Sequence, residues 1–170
     1  MEDKYAIAEA LYEDLEYKKS FSLFQEIALD TNNSNVTRAD AYNMMGILVE
    51  CCDPSLASGD DESGLEHYKA ALELDEGNLA ALASVLRSFG KSFPDHPDTA
   101  AFRAAYSKAM LLRDEFTKEE IQRWQEKYQL MQRMAAKATL RLPDRWNNKS
   151  VLRTPIWYES SPSVSVGACW

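Results

Sequence analysis

The chain has 170 residues, 45% of them apolar and 11% aromatic, and its 27 acidic and 19 basic side chains give a net charge of −8. That length suffices for one domain with a real core, and the apolar content excludes a wholly disordered chain. Six glycines and six prolines among many Ala, Leu, Glu and Lys favour helices, and no apolar run approaches the roughly 18 residues that span a bilayer.

The segment Met1-Glu2-Asp3-Lys4 lacks the apolar stretch of a secretory signal, so a cytoplasmic protein is expected. Residues 1–116 hold 22 acidic and 10 basic side chains, whereas residues 117–153 hold 4 and 9. An acidic body repels phosphates, so nucleic-acid binding by that body is not expected. Cys51, Cys52 and Cys169 do not make a disulfide framework and read as free thiols.

In chain order, a first helical hairpin is expected over about residues 3–30. Tyr5, Ala8, Leu11 and Leu15 mark one stripe, and Phe21, Phe24, Ile27 and Ala28 mark the next. Thr31-Asn32-Asn33-Ser34-Asn35 is a polar stop, with Thr37 expected to cap the next helix. A second hairpin is expected over 38–75. Tyr42, Met45, Gly46 and Val49 share a face, and Asp53–Ser63 reads as a loop before Leu65, Tyr68, Ala71, Leu72 and Leu74. Gly46 inside a helix costs about 1 kcal/mol relative to Ala and makes sense where a neighbouring helix approaches closely. A third hairpin is expected over 78–112, broken at Gly90 and Phe93-Pro94-Asp95-His96-Pro97-Asp98. Thr117-Lys118-Glu119-Glu120 has the pattern of a capping box. It opens a capping helix over 117–140 with a seam of Ile121, Trp124, Tyr128, Met131, Ala135 and Ala138. The domain reading is therefore a helical repeat unit over 1–142 and an irregular aromatic tail over 143–170.

Phe24-x-x-Ile27, Tyr68-x-x-Ala71 and Tyr106-x-x-Ala109 recur late in successive hairpins, and Leu65 to Asn78 looks like the second helix and exit of a known repeat. The arrangement resembles the tetratricopeptide repeat family, whose helix–turn–helix unit has about 34 residues. The triplets here lie 44 and 38 residues apart, the excess falling in loops, where growth costs little. Glu76 stands where the family usually has proline, and Phe102 where it usually has a small residue. The resemblance implies an all-α, right-handed superhelix of hairpins whose first helices line a concave groove.

On those helices the expected partner-binding groove comprises Tyr5, Glu9, Tyr12 and Glu13, then Asn43, Met44, Ile47 and Glu50. Asp40 belongs to the same set, and the third hairpin offers Leu79, Leu82 and Ser84. The family variant that grips a C-terminal carboxylate needs Lys, Asn and Arg at such places, so carboxylates here disfavour it. The groove instead suits a basic or apolar-aromatic protein segment. Charges such as Glu9, Glu13 and Glu50 can equally be a plain solvated face.

His67 and His96 have no ligand-spaced partners, and no phosphate loop or nucleophile elbow occurs, so no metal, cofactor or catalytic residue is expected. Arg123, Lys127, Arg133, Lys137 and Arg141 make the capping helix basic, which fits an anionic partner, a lipid surface or simple solubility. Trp146, Trp157, Tyr158 and Trp170 make the tail a docking element, toward this chain or a partner. The function expected is a non-enzymatic adaptor or chaperone-like module, with a homo-oligomer left open. The alternatives are a structural subunit docking through the basic helix and tail, or an enzyme accessory domain.

Overall fold

A computed structural model of the chain describes residues 3–57, 64–92 and 99–140. Among the described residues the chain is all-helical, with seven α-helices and no strand. Contacts divide it into a unit over 1–133 and a second from Met134 onward, of which only the end of the last helix, 134–140, is described.

Helix α1 spans Lys4–Glu13, capped by Asp3, whose side chain accepts from the Tyr5 amide at 3.0 Å. It ends in a tight reversal. Glu16 N–H donates to the Leu11 carbonyl at 2.9 Å, and Leu15 sits in the left-handed region with φ 61°. That geometry is a helix C-terminal motif whose turning residue is usually glycine. Leu15 was expected on the buried stripe; it lies instead beyond the helix and is 69% exposed.

Helix α2, Tyr17–Leu29, returns along α1, and the buried Ser20 hydroxyl donates to the Ala8 carbonyl at 2.8 Å. Its last carbonyls are satisfied by the Asn33 side-chain amide at 3.0 Å from Ile27 O and by Arg38 Nε at 2.9 Å from Ala28 O. Helix α3, Asn35–Ile47, is capped by Ser34 rather than by Thr37. The Ser34 hydroxyl accepts the Thr37 amide at 3.1 Å, so Thr37 is already inside the first turn.

The end of α3 loosens into a π-turn over Leu48–Cys52, and Asp53 then caps a 3₁₀ turn over Pro54–Leu56. The loop expected from Asp53 thus begins with ordered turns; residues 58–63 lie outside the description. Helix α4, Leu65–Leu74, starts from Gly64 at φ 69°. Here α3 and α4 meet most closely. A Cβ on Gly46 would lie 2.7 Å from Tyr68 Cδ1 and 2.9 Å from the Gly64 carbonyl oxygen. A Cβ on Gly64 would in turn strike the Gly46 backbone.

Helix α5, Leu79–Ser92, begins at Asn78, whose side-chain oxygen accepts the Ala81 amide at 2.9 Å. The Asn78 side-chain N–H₂ donates to Asp40 at 2.7 Å, tying the start of α5 to α3. Helix α6, Thr99–Leu111, and a 3₁₀ turn over Arg113–Glu115 lead to α7, Lys118–Leu140. The expected capping box forms. Thr117 Oγ1 accepts the Glu120 amide at 3.2 Å, and Glu120 accepts the Thr117 amide at 3.0 Å. The Thr117 hydroxyl, donating to the Glu120 carboxylate at 2.8 Å, and then the Thr117 amide hold that carboxyl below its usual range.

Each helix from α1 to α5 packs on its successor, and α3 also touches α5. Ala8, Phe24, Ile27, Ala41, Met45 and Leu48 form a core under α1–α3. A larger one gathers Tyr68, Leu82, Val85, Leu86 and Phe102, closed by Trp124 and Met131 of α7. Burying each such large side chain contributes about 1.5–3 kcal/mol. Leu82 and Ser84, expected to be offered to a groove, belong to the interior. Phe102 is accommodated because Tyr106 and Tyr128 stack beside it, their own rings 4.2 Å apart. Of the expected α7 seam Met131 is buried but Ala135 is exposed, and the Ala138 side chain lies outside the described residues.

Two substitutions test the backbone reading by urea unfolding. Gly46→Ala, which by helix propensity alone gains about 1 kcal/mol, is expected to lose about 1–3 kcal/mol through overpacking against Tyr68. Leu15→Gly is expected to gain about 1 kcal/mol by removing the left-handed penalty.

Candidate functional site

Tyr5, Glu9, Tyr12 and Glu13 follow one another at helical spacing along one side of α1. Glu9 and Glu13 are exposed, and both tyrosines are partly buried. The Tyr5 ring meets Phe24 edge-on at 5.3 Å. Its hydroxyl is pushed up to about 12, first by burial, then by the negative charges of Asp40 and Glu9. Asp40 on α3 therefore belongs with Tyr5 and Glu9 in one acidic cluster across α1 and α3. At the other end, the Tyr12 ring lies 6.1 Å from Tyr17, and its phenol is pushed up first by burial and then by the neighbouring Cys52 thiol. Burial pushes that thiol up, with Cys51 adding to it and Tyr12 opposing.

The α3 residues of the expected groove have more mixed settings. Met44 packs on the core under α1–α3, and Ile47 on the core further along. Asn43 is buried, and its side-chain oxygen has no hydrogen-bond partner among the described residues. Glu50 accepts the Tyr68 hydroxyl at 2.7 Å and is thereby drawn toward α4. Burial, followed by Glu50, pushes the Tyr68 phenol far above its ordinary value, and Arg87 of α5 opposes the shift. Glu50 and Tyr68 thus form a polar link from the π-turn after α3 to α4, with Arg87 of α5 near the same phenol, distinct from the α1 cluster.

The structure therefore brings Tyr5, Glu9 and Asp40 together, keeps Tyr12 and Glu13 on the same helix, and turns Asn43 and Glu50 into the packing. Asp40 was legible as a groove residue, but its bond to Asn78 spans 38 positions and has no local signal. Nor does any pattern pair Tyr12 with Cys52. His67 faces the Phe21 ring at 5.8 Å, and His96 lies outside the described residues. No group of three His, Cys, Asp or Glu placed to hold a metal occurs among the described residues, and no helix there is long and apolar enough to cross a membrane. On α7, Arg123 and Arg133 are exposed and Lys127 is partly buried. The Lys137 side chain, Arg141, Trp146, Trp157, Tyr158 and Trp170 lie outside the described residues.

The acidic cluster has a pH consequence. Tyr5 keeps its proton in the folded chain to about 12, but gives it up near 10.0 once unfolded. Between those values the folded chain holds the extra proton. Its contribution, complete below about pH 10, is lost as pH rises toward about 12. Urea-unfolding free energies measured from about pH 9 to about pH 11 are expected to fall, and Tyr5→Phe to make the fall shallower. Tyr68, Tyr12 and Tyr106, also pushed up by burial, leave part of the slope in place.

No family model, curated protein or solved structure matches this chain.

Proposed function

We propose that the protein is a non-enzymatic binding module that holds a basic or aromatic segment of another polypeptide along α1 and α3, within hairpins arranged as in tetratricopeptide repeats. The reading is supported chiefly by one observation. Exposed Glu9 and Glu13, with Asp40, flank the partly buried rings of Tyr5 and Tyr12. A lysine or arginine arriving there meets both a carboxylate and an aromatic face, and the two attractions act on the same charge. The repeat-like arrangement is supported by the buried settings of Ala8, Ser20, Phe24, Ile27, Met45, Gly46, Tyr68 and Ala71, which fall at the family's spacings.

On this reading Tyr5 and Tyr12 are the aromatic contacts, Glu9, Glu13 and Asp40 select a cation, and Met44 and Ile47 extend the apolar ground between them. Asn43 and Glu50 act from beneath, by fixing α3. The test is selection of random peptides displayed on phage against the immobilised full chain. Enrichment of Lys or Arg beside Tyr, Phe or Trp is expected. The double variant Glu9→Lys/Glu13→Lys is expected to bind the selected peptides at least about tenfold more weakly, a loss of about 1.4 kcal/mol. Enrichment of acidic peptides, or undiminished binding by the variant, overturns the reading.

A further inference from the structure

A second surface lies away from α1. Between α4, α5 and α6 runs an open groove of about 800 Å³. Leu72, Leu82 and Val85 line its depth with Ala101 and Ala105. Along the α6 wall Ala100, Ala104, Ser107 and Leu111 recur at spacings of four, three and four, all exposed. Leu111, at 81%, is the most exposed of the large apolar side chains described. Small side chains on one wall let another helix approach closely, and the stretch from Ala100 to Leu111 is about 16 Å long, three turns of helix.

The charges at the rim say which helix fits. Lys69 is paired with Glu66 at 2.9 Å, and Lys108 with Glu76 at 2.8 Å. Glu73 also lines the groove and is exposed, so the remaining charge along the α4 wall is negative. A fitting helix has large apolar side chains on one stripe and basic ones beside them.

The chain carries such a helix. On α7, Lys127, Leu130 and Met134 follow at spacings of three and four on the flank beside the buried Trp124 and Met131, about 80° round the helix from them. Leu130 is 42% and Met134 39% exposed, and Arg123 and Arg133 flank them. The segment from Arg123 to Met134 equals the α6 wall in length. Burial and the nearby Arg123 hold the Lys127 ammonium below its usual range, a crowding of like charge that an acidic rim relieves. Two α7 faces would repel each other; an α7 face and the α4–α6 groove are complementary.

We propose that the α4–α6 groove takes α7 of a second copy of this chain, with Leu130 and Met134 seated on the alanine wall and Lys127 and Arg123 against Glu73. Groove and helix are different surfaces, so the contact is head-to-tail and leaves one of each unused at every end. Association therefore grows with concentration rather than stopping at two, unless the rotation closes a ring.

Sedimentation of the full chain tests this, with circular dichroism to confirm folding. The average mass of the wild type is expected to rise above one chain with concentration, and to fall back between about 0.05 and about 0.5 M salt as charges are screened. Ala104→Trp, which fills the groove at an exposed position, and Leu130→Glu/Met134→Glu, which spoils the helix face, are each expected to be monomeric. Mixed one to one, they still share one intact groove and one intact α7 face. They are expected to pair and to stop at two. A wild type that stays monomeric to about 1 mM, variants that associate as the wild type does, or a mixture no heavier than its components each overturn the proposal. If the wild type is monomeric but Ala104→Trp loses the peptides selected on the full chain, the groove belongs to a foreign segment and self-docking is likewise overturned.

Discussion

The contact between Gly46 and Tyr68 sets the spacing on which the middle of the array depends. Tyr68 is the largest fully buried side chain described, and its ring occupies the space that any side chain at position 46 would need. With α3 and α4 drawn so close, Gly64 must also be bare, and its backbone takes up the left-handed turn that starts α4. Tyr68 then reaches past α3. Its hydroxyl finds Glu50 on the π-turn, and Arg87 of α5 lies near the same oxygen. A wider turn at the end of α3 shifts the facing of Leu48–Cys52 relative to a regular helix, as insertions of this kind do near specialised positions. One ring thereby sets the seat of α4 on α3, by exclusion at Gly46 and by hydrogen bonding at Glu50.

Much of this was legible in the residues because it depends on local periodicity. The stripes through Phe24 and Ile27, through Tyr68 and Ala71, and through Trp124 and Met131 are buried where the 3.6-residue period places them. Gly46 was legible as a point of close approach, and Thr117 and Glu120 as a cap. The misreadings share one cause, that a side chain's neighbours across helices leave no local mark. Leu15 continues the α1 stripe in sequence, but the helix ends at Glu13 and the chain reverses at Leu15 itself. Thr37 and Ser34 are equally good caps on composition, and the helix starts one turn earlier than Thr37 alone implies. Leu82 and Ser84 fall off a narrow stripe, yet α5 is covered on more than one side, by α4, α6 and α3.

The candidate site was legible in kind more than in membership. Carboxylates and tyrosines spaced on α1 announce an acidic aromatic face, since four residues on one helix need no tertiary information to share a side. The α3 half needed the fold. Asp40, Asn43, Met44, Ile47 and Glu50 fall within about 120° of the helix circumference, so spacing alone puts them all on one face. The packing with α2, α4 and α5 decides among them, leaving Asp40 beside Tyr5 while Asn43 is buried and Glu50 turns to Tyr68.

The distribution of ion pairs ties this face to stability. Lys4 pairs with Glu26, Lys19 with Glu16, Lys69 with Glu66 and Lys108 with Glu76, mostly with both partners well exposed. Such pairs each contribute at most about 1 kcal/mol. They nonetheless neutralise the carboxylates that they touch. Among the described residues Glu9 and Glu13 have no such partner, and Asp40 receives only the neutral amide of Asn78. Mutual repulsion on that face opposes folding, and Tyr5 feels it directly. A cation bound there removes the repulsion only in the folded chain, so binding and folding reinforce one another through mass action. The same carboxylates that weaken the free module would thus strengthen the loaded one.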